Sequence, residues 1–180
     1  MSLNIGDAAP TFELKNANSQ HGANTMSLGE AMGEAGLVVV FECNHCPYVV
    51  ASVGRLNAMA EHCQANNIGF VGINANDPVV YANDSFEHMV KRADGGMPYP
   101  YLHDETQAVA HAYGAKRTPE FFLFTPDAEL VYHGRMDDSP QDPNSVTTGE
   151  LADAIEAMLA GQTPAVQHTE SIGCSVKWKA

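Results

Sequence analysis

Two cysteines stand two residues apart in Cys43-Asn44-His45-Cys46, after an apolar run and before Pro47. In the first turn of a helix, that spacing lets two sulfurs close a disulfide with little backbone movement. The expected placement has Cys43 facing the unpaired N–H groups of the helix N-terminus, where the dipole favours thiolate over thiol. Thiols in such places titrate at roughly 3.5–7.5, against about 8.5 for a free thiol. The thiolate is the attacking species in disulfide exchange, so Cys43 is the expected nucleophile. Cys46, expected one helical turn inside, is the resolving thiol that releases the mixed disulfide. His45 lies between them. Protonated, it would supply a neighbouring cation that favours the Cys43 thiolate; otherwise it is an exposed turn histidine. Glu42 would raise the thiol or relay a proton, although strand alternation sends it to the face opposite Cys43.

Cys63 continues the stripe Val49, Val53, Leu56 and Ala60 of the following helix. It reads as a small buried hydrophobe. Cys174 is open to three readings. It is a third redox thiol that folds back to resolve an oxidised Cys43 or Cys46, a metal ligand with Cys43, Cys46 and His45, or a docked, unreactive cysteine beside Trp178. Zinc and copper(I) both accept thiolates. The other histidines show no HxxxH or HExxH spacing. Asp137-Asp138 before Ser139-Pro140 reads as a loop and cap, because the repeated acids and closing glutamate of an EF-hand are missing.

The elements that must position the turn follow from periodicity. Leu37 to Glu42 (LVVVFE) is a continuous β-branched run suited to a buried central strand. Pro47 sits just inside a helix that ends near Asn66. Ile68 to Ile73 is a second central strand. Asp84 with Glu87 resembles a capping box ahead of the stripe Phe86, Met89, Val90 and Ala93. Tyr99 to Leu102 reads as a short edge strand among prolines. Asp104 with Gln107 opens a helix that stops at Gly114. Glu120 to Phe124 and Leu130 to Gly134 form an antiparallel hairpin after Thr118-Pro119. Thr147 with Glu150 opens the last helix. A weaker strand lies near Thr11 to Leu14. A parallel βαβ half thus meets an antiparallel hairpin and a closing helix. The expectation is an α/β thioredoxin-like fold, a central mixed β-sheet with helices on both faces.

A length of 180 residues favours one domain. Residues 1–163 are expected to form it, with residues 164–180, which carry the only tryptophan, docked on it as a tail. Hydrophobic residues make up 44% of the chain, enough to build a core. The net charge of −13 disfavours nucleic acid and anionic membranes as partners. Met1 to Pro10 has neither a basic nor an apolar leader segment, and no apolar run could span a bilayer. A cytoplasmic location is therefore expected, where a close cysteine pair is catalytic or metal-binding more often than structural.

The segment Phe41-Glu42-Cys43-Asn44-His45-Cys46-Pro47-Tyr48-Val49 resembles the FxCNHCPYV signature of the peroxiredoxin-like 1 group of the thioredoxin superfamily. Arg117-Thr118-Pro119, Phe122-Leu123-Phe124, Tyr132-His133-Gly134-Arg135 and Asp137-Asp138 resemble its later blocks, and Gly173-Cys174-Ser175-Val176-Lys177-Trp178 its C-terminal GCSIKW block. The resemblance covers nearly the whole chain. It implies a thioredoxin-like fold related to the alkyl-hydroperoxide reductase and thiol-specific antioxidant proteins. In this fold class the proline before the hairpin, here Pro119, is commonly cis and lies against the redox turn. The backbone before it is left free to pair with an extended substrate. The peroxidatic PxxxTxxC frame of true peroxiredoxins is missing. Its proline and threonine positions hold Gly36 and Val40 if Cys43 is the peroxidatic cysteine, and Val39 and Cys43 if Cys46 is. Arg117 resembles the arginine that peroxiredoxins place before a late strand, and could steady a Cys43 or Cys46 thiolate.

The function expected is thiol–disulfide exchange by the CxxC dithiol, on a protein or small-molecule disulfide, with a reducing thiol as partner and no cofactor. The alternatives are a thiol-dependent peroxidase acting on peroxide and a thiolate module for zinc or copper. The candidate site residues are Cys43, Cys46, His45, Arg117, Pro119 and Cys174.

Overall fold

The computed structural model of the chain describes residues 3–180. The chain opens with a short hairpin, β1 (Glu13–Asn16) and β2 (Thr25–Ser27), and a one-turn helix α1 (Leu28–Ala31) capped by Ser27 and Glu30. Strand β3 (Gly36–Phe41), helix α2 (Pro47–Ala65) and strand β4 (Ile68–Asn74) make the parallel βαβ unit. Helix α3 (Phe86–Asp94), strand β5 (Tyr101–His103) and helix α4 (Ala108–Tyr113) follow. Then come β6 (Arg117–Thr118), the hairpin β7 (Glu120–Phe124) and β8 (Leu130–Gly134), helix α5 (Glu150–Leu159) and a last short strand β9 (Cys174–Ser175). The main sheet has seven strands in the order β2-β1-β5-β4-β3-β7-β8, and β6 pairs with β9 apart from it.

Alternation along β3 divides the core in two. Val38 and Val40 join Val49, Leu56, Ala60 and Cys63 of α2, Met89 of α3, and Leu151 and Ile155 of α5 on one face. Leu37, Val39 and Phe41 join Ala31 of α1 and Val109, Ala110 and Tyr113 of α4 on the other. Every residue of β3 is buried, as expected of a central strand covered on both faces by helices. The fold is thus the mixed, two-faced α/β arrangement of the thioredoxin class. No described helix is long and apolar enough to cross a membrane.

Three local expectations change. The segment expected as an edge strand is internal: β5 lies between β4 and β1, because the N-terminal hairpin pairs onto its free side. Ser85, not Asp84, caps α3, with its hydroxyl accepting the His88 N–H at 3.3 Å. Gly149 precedes α5 without a side-chain cap, because Thr147 bonds the Asp138 carboxylate instead.

The C-terminal segment crosses the body twice. Residues Gln167 to Thr169 run beside β8: His133 N–H donates to the Gln167 carbonyl at 3.0 Å, and Thr169 N–H to the His133 carbonyl at 3.1 Å. Gly134 has φ +148°, and a Cβ there would meet the Thr169 hydroxyl at 2.2 Å, so the close crossing needs a glycine. The chain then returns to β6 and ends with Trp178 stacked on His111, ring centroids 4.2 Å apart.

Candidate active site

The CNHC turn joins the end of β3 to the start of α2. Pro47 occupies the first helical position, where its missing N–H leaves no bond unmade. Cys46 is therefore the N-cap, and its carbonyl accepts the first helical bond from Val50 N–H at 2.9 Å. This corrects the expected placement: the helix tip faces Cys46, which is not a turn inside, and Cys43 precedes the tip by three residues. Both cysteines are reduced and 1% exposed.

Thr118 bridges the pair. Its hydroxyl lies 3.6 Å from Cys43 Sγ, and Cys46, when protonated, donates to its carbonyl at 3.4 Å. The Cys43 thiol bonded to Cys46 is the largest influence drawing the Cys46 thiol down, to about 4. Burial opposes the shift, while the Cys174 thiol, the Val49 N–H and Thr118 add to it. No side chain forms a well-aligned cap on α2, so the Val49 amide is free to favour the Cys46 thiolate. Cys43 moves the other way. The bond to Cys46 holds its proton, and burial and the Asp84 carboxylate raise it further. Within the pair, these influences favour the negative charge on Cys46 over Cys43.

Asp84, fully buried, braces the turn from the loop before α3. It accepts the Asn44 N–H at 2.8 Å, the Asn74 amide at 3.2 Å and the Asn76 amide at 3.0 Å. His45 Nδ1 lies 2.6 Å from Asp84 Oδ2, the oxygen that also accepts from Asn76, and the His45 ring is stacked on Tyr81. Cys43, His45 and Asp84 present atoms within 4.8 Å of one another. With its carboxylate already occupied by three amides and an imidazole, Asp84 is built as an anchor for the turn.

Behind the turn, Glu42 is fully buried and its Oε1 lies 2.5 Å from Arg92 Nη2. The Tyr99 hydroxyl donates to Glu42 at 2.8 Å. Arg92 also donates to the Cys43 carbonyl at 3.2 Å, and the Tyr101 hydroxyl to Asn44 at 2.7 Å. Glu42 is thus spent on an internal ion pair, and its partner Tyr99 belongs to the same core cluster as Cys43 and Cys46, so alternation does not send it to the opposite face as the sequence suggested.

The Thr118-Pro119 peptide is cis. Cys174 lies opposite Thr118 in the β6–β9 pair and packs against the cluster that holds Cys43 and Cys46. Arg117 is not brought to the thiols. Alternation along β6 turns it away from the side of Thr118; it donates to the Gly173 carbonyl at 3.4 Å and borders a cavity of about 440 Å³ with Glu120, His133 and His168. Cys63 is buried in the α2 stripe, and burial pushes its thiol up to about 12. Sequence reading missed Asp84 and the Thr118 side chain. The first resembled a helix cap, and Ser85 directly after it was the signal that the cap lay one residue later.

Residues 5–133 match the family model described as AhpC/TSA family. The chain is similar over 98% of its length, at 40% identity, to 93% of an uncharacterized conserved protein from Geobacillus kaustophilus, with a TM-score of 0.91. A hypothetical protein from Sinorhizobium meliloti 1021 is 36% identical over all of this chain and 97% of its own, with a TM-score of 0.90. A putative thiol:disulfide interchange protein DsbE from Chlorobium tepidum shares the fold, at 21% identity over 73% of this chain and 85% of its own, with a TM-score of 0.58. No curated protein matches. With its motif-bearing turn, its two-faced mixed sheet and a family match over most of its length, the chain belongs to the AhpC/TSA family.

Proposed function

We propose that this protein is a thiol–disulfide oxidoreductase in which Cys46 is the attacking thiolate and Cys43 its exchange partner. The observation that carries the reading is the placement of Cys46 as the N-cap at the tip of α2, with Cys43 held beside it by the shared contact to Thr118. The Cys46 thiolate attacks one sulfur of a disulfide, forms a mixed disulfide and expels a thiolate. Its charge is then consumed, and with it the main cause that holds the proton on Cys43. Cys43 loses that proton, attacks Cys46 and expels the second thiolate, leaving a Cys43–Cys46 disulfide. An external reducing thiol runs the steps backward. The AhpC/TSA match supports this chemistry at the level of the family, and the structural likeness to a putative thiol:disulfide interchange protein is in keeping with it.

The test is stoichiometric exchange with a chromogenic small-molecule disulfide. Cys46→Ser should lose the fast release of product thiol, and the double variant C43S/C174S should retain a mixed disulfide on Cys46. Fast release in Cys46→Ser equal to wild type would overturn the assignment.

The family match favours one second reading, in which a peroxide transfers oxygen to Cys46, leaving an alcohol or water. The resulting sulfenic acid condenses with the Cys43 thiol, loses water and forms the same disulfide. A sulfenic-acid probe on C43S/C174S after one equivalent of peroxide separates the readings.

A further inference from the structure

The place beside the cis-proline where an extended substrate would add as a strand is filled by the chain itself. Strand β9 pairs antiparallel with β6, Cys174 opposite Thr118 and Ser175 opposite Arg117. A Cβ on Gly173 would lie 2.1 Å from the Thr118 carbonyl, so this glycine lets the tail press against the residue that touches both catalytic sulfurs.

The tail is held just after Cys174. Val176 N–H donates to the Lys116 carbonyl and Lys177 N–H to Asn76 Oδ1, each at 2.9 Å. The Lys177 carbonyl accepts the Asp77 N–H and the Gln107 amide, again at 2.9 Å each. This fixed frame sets Cys174 opposite Thr118, whose hydroxyl and carbonyl contact the two sulfurs, and packs it against the cluster that holds Cys43 and Cys46. Cys43 and Cys46 are 1% exposed, while Cys174 is half-buried and open at the surface.

We propose that Cys174 is a third redox thiol that shares Cys46 with Cys43, so that one disulfide migrates between the turn and the tail. The proposal rests on the reading of Cys43 and Cys46 as an exchanging pair. Starting from the Cys43–Cys46 disulfide, the Cys174 sulfur attacks Cys46 Sγ as it gives up its proton. The Cys46–Cys174 bond forms, the Cys43–Cys46 bond breaks, and Cys43 leaves with the electron pair and takes up a proton. Nothing is oxidised or reduced overall. The exchange moves the disulfide from two buried sulfurs to one with a surface-facing end, where an external thiol can attack Cys174 and release Cys46. Cys174 is thus the point of contact for the reducing partner.

The test uses the full-length chain carrying Cys63→Ser to remove the bystander thiol. This protein and its C43S derivative are oxidised with one equivalent of oxidised glutathione, alkylated, digested without reduction and mapped by mass spectrometry. Circular dichroism checks that both are folded. The expected result is a peptide linking positions 46 and 174 in both proteins, and two fewer alkylatable thiols in C43S. Absence of that peptide from the protein that keeps Cys43, which does not depend on the variant folding, overturns the proposal. If the Cys43–Cys46 disulfide still forms there, the underlying function stands without the tail. If no intramolecular disulfide forms at all, both fall.

Discussion

Asp84 Oδ2 lies 2.6 Å from His45 Nδ1, while Asp84 Oδ1 accepts the Asn44 N–H at 2.8 Å. One buried carboxylate therefore grips two consecutive residues of the turn from a loop forty residues away. Asp84→Asn keeps the shape but replaces one acceptor with a donor, so a buried amide of Asn44, Asn74 or Asn76 loses its partner. The expected loss of stability is about 1–3 kcal/mol, read from urea unfolding. The variant should also ionise Cys43 at lower pH, because the Asp84 charge helps to raise that thiol. An unaltered alkylation profile at Cys43 would contradict the contact.

The pH dependence of the pair has a defined sign. With its thiol drawn down to about 4, Cys46 stays ionised through neutral pH and becomes protonated only as pH falls through that value. Its alkylation, mapped by mass spectrometry, should be flat from neutral pH to about 5 and fall below that, each unit then costing about tenfold. Cys174, pushed up to about 11 chiefly by burial, should react appreciably only under alkaline conditions. A Cys46 profile with its midpoint near that of a free thiol would remove the basis for its role.

Thr118→Val retains volume and deletes the hydroxyl that favours both thiolates. A hydrogen bond to a charged group contributes about 1.5–3 kcal/mol, so exchange at Cys46 should slow by roughly tenfold or more. The Cys46 midpoint should rise with little change in fold. Stopped-flow thiol release and the alkylation profile read the two effects together.

Arg92→Leu strands the Glu42 carboxylate, which is fully buried and 2.5 Å from the guanidinium. Breaking such a pair from one side costs about 3–5 kcal/mol. Adding Glu42→Gln should recover a large part of that loss in denaturant unfolding. Equal stability of the single and double variants would mean that the buried charge is compensated elsewhere.

The sequence disclosed those elements whose signals are local. The LVVVFE run became β3 because a parallel central strand is apolar on both faces, and the Val49, Leu56, Ala60 and Cys63 stripe became the buried face of α2. Features decided by distant partners stayed hidden. Strand β5 is internal only because β1 returns to it, and Asp84 reaches the turn only through the loop that places it there. Arg117 lay next to a residue that does touch the sulfurs, yet a two-residue strand separates neighbours onto opposite sides. The position of the helix tip was legible all along: a proline at the first helical position makes the residue before it the N-cap, and that residue is Cys46.

The crossing of Gln167 to Thr169 beside β8 carries a second benefit for the molecule. Strand β8 ends the sheet, and an uncovered terminal strand offers backbone groups on which another chain can polymerise. By bonding to both the N–H and the carbonyl of His133, the tail seals that margin before it reaches the thiols. Colloidal behaviour and redox chemistry are thereby tied to one segment, and clipping the chain after Gly161 should yield a protein prone to self-association as well as short of a sulfur.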